Sequence, residues 1–72
     1  MDKKVISILK GESYITLQSL LKVGGVISTG GMAKAFLMET IVLVNGEAEN
    51  RRGRKLYPGD VIKVGNSVFE IK

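Results

Sequence analysis

Residues 41–46 read Ile-Val-Leu-Val-Asn-Gly, and this stretch decides the fold class. Four consecutive apolar residues, three of them β-branched, predict a buried β-strand over 41–44. Asn45-Gly46 is the strongest short signal for a hairpin, because a type I′ turn needs a positive φ at both central positions. Residues 47–51 should therefore return as the partner strand.

Two further turns divide the rest of the C-terminal half. Tyr57-Pro58-Gly59-Asp60 fits a type II turn, because proline presets a negative φ and the glycine accepts a positive one. Strands are predicted over 61–64 and 67–71, with Gly65-Asn66 as the turn between them. Together with the first hairpin, these segments predict four consecutive antiparallel strands.

The N-terminal half predicts one strand and a first short helix. Residues 4–9 alternate weakly and are rich in β-branched side chains, which indicates a strand. Leu17, Leu20 and Leu21 recur at i, i+3 and i+4, so they line one face of a helix predicted over 17–23. Thr16 is a suitable N-cap for this helix, and the glycine pair that follows Val23 is a suitable stop.

A second helix is predicted over 30–39 or 31–39, with Ser28 and Thr29 as candidate caps. Its apolar side chains lie nearly all round, so we expect most of its surface to be covered. The element order β–α–α–β–β–β–β predicts one α+β domain over 1–72, with two short helices packed on a small antiparallel sheet.

Composition excludes several classes of protein. The chain has 72 residues and contains no cysteine and no histidine, so disulfides and Cys/His metal sites are ruled out. The hydrophobic fraction of 44% favours a packed core over disorder. No apolar run approaches the ~18 residues of a membrane span, and the N-terminus lacks signal-peptide features. We therefore expect a soluble cytoplasmic protein that does not act at a membrane.

The net charge of +4 is concentrated in one short segment. Arg51, Arg52, Arg54 and Lys55 supply four positive charges, and the other seven basic residues balance seven acidic ones. Guanidinium groups bind phosphate bidentately and release counterions, so a balanced body with one basic patch indicates a polyanion partner. The alternative is a solvated loop whose charges only aid solubility.

Thr29-Gly30-Gly31 is a second candidate for phosphate binding. A helix start offers unpaired N–H groups, and glycine lets a ligand approach the backbone closely. We expect a phosphate to contact the Thr29 hydroxyl and the two glycine amides, with Lys34 one turn further on. The alternative is a cap followed by two glycines tolerated for packing.

Three other polar or aromatic residues each have two interpretations. Lys22 would either touch a nucleic-acid backbone or complement the negative end of its own helix dipole. Tyr57 would either stack on an unpaired base or pack on the sheet. Asn45 would either meet RNA through its amide or serve only the turn.

The stretch over 15–64 resembles the S4 RNA-binding domain. The most specific pieces are Val44-Asn45-Gly46 and Pro58-Gly59-Asp60 at their present separation, preceded by two helices. Within that family, residues 29–34, 45–47 and 50–55 together resemble the stand-alone bacterial S4-like small proteins. The resemblance implies the S4-like α+β motif.

The resemblance also implies an RNA-binding surface made by the second helix and the hairpin that follows it. Lys34 matches the helix-two arginine of the general pattern. Arg51, Arg52, Arg54 and Lys55 fall where the basic loop after the hairpin belongs. Gly30-Gly31 departs from the pattern, since most S4 domains carry arginine or another polar residue there.

These observations predict a non-catalytic RNA-binding module. The family implies structured RNA of the ribosomal or transfer class as the partner and a ribosome-associated role. Because the chain is short, we also expect it to dock on a larger ribonucleoprotein. No cofactor, metal or small-molecule substrate is expected. Catalysis is poorly supported, because the chain has no histidine or cysteine to act as base or nucleophile.

Two alternatives stay open at this stage. Residues 43–47 and 59–64 are also similar to small sulfur-carrier proteins, which would make the chain a β-grasp-like adaptor that binds protein. Carrier chemistry needs a terminal Gly-Gly, and this sequence ends in Glu70-Ile71-Lys72. The other alternative is DNA, which basic charge alone does not distinguish from RNA.

Overall fold

The computed structural model describes residues 2–72 and contains two short helices and two sheets. Helix α1 spans Leu17–Val23 and helix α2 spans Ala33–Glu39, with a 3₁₀ turn at Gly30–Met32 directly before α2. The strands are β1 Asp2–Ile6, β2 Ile15–Thr16, β3 Val42–Val44, β4 Glu47–Ala48, β5 Lys55–Leu56, β6 Val61–Val64 and β7 Ser67–Ile71.

The main sheet has five strands in the order β1-β7-β6-β3-β4, and β2 and β5 form a separate two-stranded ladder. Neighbours in both sheets are antiparallel except β1 and β7, which run parallel, with Lys4 opposite Phe69. The α+β class is confirmed. The sheet is mixed and not wholly antiparallel, because β1 adds to the sheet beside β7 and runs parallel to it.

The core lies between the helices and one face of the sheet. It takes one stripe from each helix and alternate residues from the strands, as expected for elements that bury a single face. Its members are Leu17, Leu20, Leu21, Ile27, Ala33, Leu37, Val42, Val44, Leu56, Ile62, Val64, Phe69 and Ile71.

Helix α1 has the predicted boundaries. The hydroxyl of Thr16 accepts a hydrogen bond from the Ser19 N–H at 3.2 Å, which confirms the N-cap. At the other end, the Gly24 N–H donates to the Leu20 carbonyl at 2.8 Å, and Gly25 takes φ +79°. The α1 boundaries were therefore readable from local sequence.

Helix α2 differs from the prediction in two respects. Its α-helical part begins at Ala33 and not at 30 or 31, because Gly30–Met32 form a 3₁₀ turn. Thr29 is the N-cap residue of that turn, with an extended backbone, but its side chain makes no capping hydrogen bond. Only Ala33 and Leu37 are buried, whereas Met38 is 78% exposed. The predicted covering is also wrong, because a seven-residue helix on a small sheet has only one side against the core.

The turns predicted at Asn45-Gly46 and Tyr57–Asp60 are confirmed by their backbone angles. Asn45 has φ +52° and Gly46 φ +86°, as a type I′ hairpin requires. In the second turn, the Asp60 N–H donates to the Tyr57 carbonyl at 3.0 Å, and Gly59 has φ +97°. The strands predicted over 61–64 and 67–71 have those boundaries in the structure.

Three strand predictions need correction. The first strand is Asp2–Ile6 and not 4–9, and β3 is Val42–Val44, so that Ile41 lies outside it. The partner strand predicted over 47–51 is only Glu47–Ala48. It ends there because the next residue, Glu49, turns its side chain onto the backbone that follows. Neither helix of residues 2–72 is long and apolar enough to cross a membrane.

Candidate nucleic-acid interface

The four clustered cations lie on the loop that leaves β4, which we call the basic loop (residues 51–55). A single buried carboxylate organises it. Glu49, 9% exposed, accepts hydrogen bonds from the backbone N–H groups of Asn50 and Arg51, both at 3.1 Å. Its oxygens also accept from Arg51 Nε and Nη2, each at 3.0 Å, and from Arg54 Nη1 at 2.7 Å. The loop is thereby folded around its own counter-ion.

The electrostatics of Glu49 follow from these contacts. The side-chain hydrogen bonds from Arg51 lower the pKa of Glu49 most, and those from Arg54 add to them, whereas burial opposes the shift. The resulting pKa is about 2, against the ordinary 4.5. Glu49 in turn raises the pKa of Arg51. The carboxylate is therefore ionised at neutral pH and compensates part of the loop's positive charge.

The four basic side chains consequently have different environments. Arg51 and Arg54 converge on Glu49, with 72% and 34% of their side chains exposed. Arg52 is exposed, and Lys55 places its Nζ 5.1 Å from the centre of the Tyr14 ring. The sequence grouped all four as one patch, but the structure divides them into a pair that holds the loop and two further cations.

The basic loop is attached to the start of α1 through its backbone. The Gln18 N–H donates to the Arg52 carbonyl and the Leu17 N–H to the Arg54 carbonyl, both at 2.9 Å. These are N–H groups of the first helical turn, which have no partner within the helix. The loop carbonyls therefore accept hydrogen bonds from N–H groups of α1 that have no partner within the helix, and these bonds fix the loop in position.

Gln18 also lies against the second predicted phosphate site. A Cβ built on Gly30 would lie 2.5 Å from Gln18 Nε2, so only glycine allows this approach without displacing the side chain. Gln18 thus touches Gly30 with its side chain and Arg52 with its backbone. Gly31, in contrast, is open, with nothing nearer to such a Cβ than the Thr29 hydroxyl at 3.9 Å. Gly30 therefore has a close neighbour, whereas Gly31 does not.

The two predicted lysines lie on the helices. Lys34 is exposed in the first turn of α2, just after Gly30–Met32. Lys22 is exposed in the last turn of α1, about 7 Å along the helix axis from Leu17, where the basic loop attaches. Contact of Lys22, Lys34, Thr29, Gly30 and Gly31 with RNA remains a prediction.

Asn45 is used by the fold. Its Nδ2 donates to Asp60 Oδ1 at 3.1 Å, and its Oδ1 accepts from the Val61 N–H at 2.9 Å. The second carboxylate oxygen of Asp60 accepts from the Tyr57 N–H at 2.8 Å. The Asn45 side chain ties the first hairpin turn to the second turn, which favours the turn interpretation.

Sequence reasoning missed two residues of this surface. Glu49 falls within the strand predicted over 47–51, although its place two residues before Arg51 and five before Arg54 is a usable signal for an internal ion pair. No local pattern in the sequence marks Tyr14. Its position depends on the β2–β5 ladder, which has only two residues per strand and no sequence pattern.

The fold and this surface define a small α+β domain that presents a preorganised cationic loop beside a helix start. Residues 6–72 match the family model described as the S4 domain, so the chain belongs to the S4 domain family and the resemblance seen in the sequence is confirmed. A similar protein is the probable ribosome maturation protein RlbA of Bacillus subtilis (strain 168). It is 62% identical over 58 residues, which is 79% of this chain and 82% of that relative.

Proposed function

We propose that this chain is a non-catalytic RNA-binding module for structured RNA of the ribosomal or transfer class, acting in ribosome maturation in the cytoplasm. Membership of the S4 domain family and the name of the Bacillus subtilis relative support the RNA and the process. The observation that carries the proposal is the basic loop, folded around Glu49 and bonded to α1.

Phosphate capture by the basic loop is the proposed mechanism. Arg52 and Lys55 provide exposed cations. Arg51 and Arg54 contribute as well, because a guanidinium has five N–H donors and Glu49 takes only some of them. Thr29, Gly30, Gly31, Lys34 and Lys22 are proposed as additional contacts to the RNA backbone.

The loop should recognise the shape of RNA more than its sequence. A-form RNA hides its major groove from side chains and offers phosphates and 2′-hydroxyls on a wide minor groove. A loop whose positions are fixed before binding pays little ordering entropy on a rigid helix. We therefore expect a structured RNA hairpin to bind more tightly than a DNA duplex of the same sequence.

The test is the salt dependence of RNA affinity, measured by anisotropy of a labelled RNA hairpin. Arg52→Ala combined with Lys55→Ala removes two cations without touching Glu49. Each lost phosphate contact should reduce the log–log salt slope by about 0.7–0.9. The double variant should therefore lose about 1.5 in slope and bind more than tenfold more weakly at about 0.1 M salt.

A matched control removes the same charge elsewhere. Lys4→Ala combined with Lys63→Ala takes two exposed lysines from β1 and β6 of the main sheet. This control should keep most of the wild-type slope. Equal losses in the two double variants would mean that only net charge matters, and would contradict a site at the basic loop. A DNA duplex that binds as tightly as the hairpin would contradict the RNA class.

A further inference from the structure

The β2–β5 ladder presents a small aromatic surface to solvent. Thr16 lies opposite Lys55 and Ile15 opposite Leu56, so continuing the register places Tyr14 opposite Tyr57. Leu56 is fully buried. Because side chains alternate between the faces of a strand, Tyr14, Lys55 and Tyr57 share the outer face.

The aromatic pair and its cation are in contact. The ring centres of Tyr14 and Tyr57 are 6.1 Å apart with planes inclined at 54°, and the Lys55 ammonium lies 5.1 Å from the Tyr14 ring centre. Both geometries are within the range of favourable aromatic and cation–π interactions. Tyr14 is 36% exposed and Tyr57 47% exposed. Both rings therefore keep part of their surface open to solvent.

Tyr14 also forms part of the wall of a groove of about 590 Å³ between β2, α1 and the segment before β2. A volume of this size suits a small planar group. Apolar surface in the wall comes from Leu9 and Val23, and polar groups come from Ser19, Glu12 and Lys22. The groove thus combines an aromatic face with hydrogen-bonding groups and a cation.

We propose that this groove binds an unpaired nucleobase of the RNA, stacked on Tyr14, while Lys55 and Lys22 contact the phosphates on either side of it. The inference rests on the proposed function and narrows its ligand to RNA that carries an unpaired nucleotide next to a helix. Every base has a π-face, so the stacking is tolerant of sequence.

Continuity with the basic loop favours a nucleobase over an apolar protein segment. Lys55 is both the last residue of the basic loop and the cation against Tyr14. A strand of RNA held at Arg52 and Lys55 therefore reaches Tyr14 within one nucleotide step. Lys22 places a second positive charge on the other wall of the groove, and this charge matches a phosphate group but not an apolar peptide.

Tyrosine fluorescence provides a selective readout, because the chain has two tyrosines and no tryptophan. The probes are an RNA hairpin with one bulged 2-aminopurine and the same hairpin fully paired. The bulged RNA should bind roughly tenfold more tightly, in line with the usual contribution of base–aromatic stacking. Its binding to the unmodified protein should quench the tyrosine emission of the protein and the 2-aminopurine emission of the RNA, whereas the paired RNA should leave the tyrosine emission unchanged.

Variants then assign the base to Tyr14. Tyr14→Leu keeps an apolar side chain but removes the π-face, so it should lose the preference for the bulged RNA and keep its affinity for the paired one. Tyr14→Phe should retain the preference. Met38→Ala removes an exposed apolar residue that lines a separate groove beside β3, and this variant should behave as wild type.

The outcomes separate this inference from the proposed function. Equal affinity for the two hairpins with unchanged emission would overturn the inference alone, and is also the result expected if a protein segment occupies the groove. Quenching that persists in Tyr14→Leu would overturn the assignment to Tyr14. Failure of both hairpins to bind would overturn the proposed function and the inference with it.

Discussion

Arg54 donates a 2.7 Å hydrogen bond to the buried carboxylate of Glu49, five residues earlier in the chain. Arg51 binds the same carboxylate, so two guanidiniums share one negative charge. Like charges that would repel are held side by side, and the loop acquires a fixed shape before any ligand arrives. Stability should therefore depend on Arg51 and Arg54, whereas Arg52 should matter for ligand binding alone.

Alanine substitution should separate these two roles. Arg54→Ala removes a charge-assisted hydrogen bond from a buried carboxylate and should lower the free energy of unfolding by about 1–2 kcal/mol. Arg52→Ala, which removes an exposed side chain, should change it by less than about 0.5 kcal/mol. Urea unfolding of the two variants measures the difference. Equal stabilities would show that the Glu49–Arg54 pair does not support the fold.

Glu49 should also make stability depend on pH in the acid range. Its pKa in the folded protein, about 2, is below the ordinary 4.5, so its contribution is complete above about pH 4.5 and is lost as pH falls toward 2. After allowance for screening at the exposed Arg51, we expect a loss of about 2 kcal/mol.

The comparison that isolates this effect is wild type against Glu49→Gln, unfolded in urea at several pH values. Lys3 lowers the pKa of Glu70, so that carboxylate contributes in the same pH range in both proteins. The difference between the two proteins should shrink as pH falls from 4.5 to 2. A difference that stays constant over that interval would contradict the prediction.

The Asn45–Asp60 contact should stabilise the two turns together. Asn45→Ala would lose the hydrogen bonds to Asp60 and Val61. It would also place alanine, which adopts the left-handed region less readily than asparagine, at φ +52°. We expect a loss of about 2 kcal/mol. Asn66→Ala, in the turn between β6 and β7 and without a positive φ, should cost less than about 0.5 kcal/mol. Similar losses of stability in the two variants would show that the Asn45–Asp60 contact does not stabilise the turns.

Glycine substitution should distinguish close packing from open backbone. A Cβ on Gly24 would lie 2.6 Å from Cε1 of Phe69, which is itself buried, so Gly24→Ala should cost about 1–3 kcal/mol by overpacking. Gly31→Ala meets nothing nearer than 3.9 Å and should be neutral or slightly stabilising. Thermal unfolding compares the two, and a neutral Gly24→Ala would mean that the ring can move.

Much of the fold could be predicted because its signals are local. The boundaries of helix α1 and of strands β6 and β7 could be predicted from the sequence, because leucine spacing, caps and turn residues act over four or five positions. The pairing of β1 with β7 could not be predicted, because no short-range pattern specifies which distant strand an N-terminal segment joins. The two-residue ladder of β2 and β5 was missed for the same reason.

The sequence by itself determined the turns at Asn45-Gly46 and Tyr57–Asp60, the first helix and the position of the excess positive charge. Each depends on the conformational preference or charge of neighbouring residues. Only the tertiary structure decided which cations bind Glu49, that Gln18 touches both Gly30 and the Arg52 backbone, and that Tyr14 meets Lys55. The contacts of Gln18 and Tyr14 join segments far apart in the chain, and they exist only once burial of the core has brought the segments together. The Glu49 contacts are local, but they depend on how the backbone between residues 49 and 54 folds.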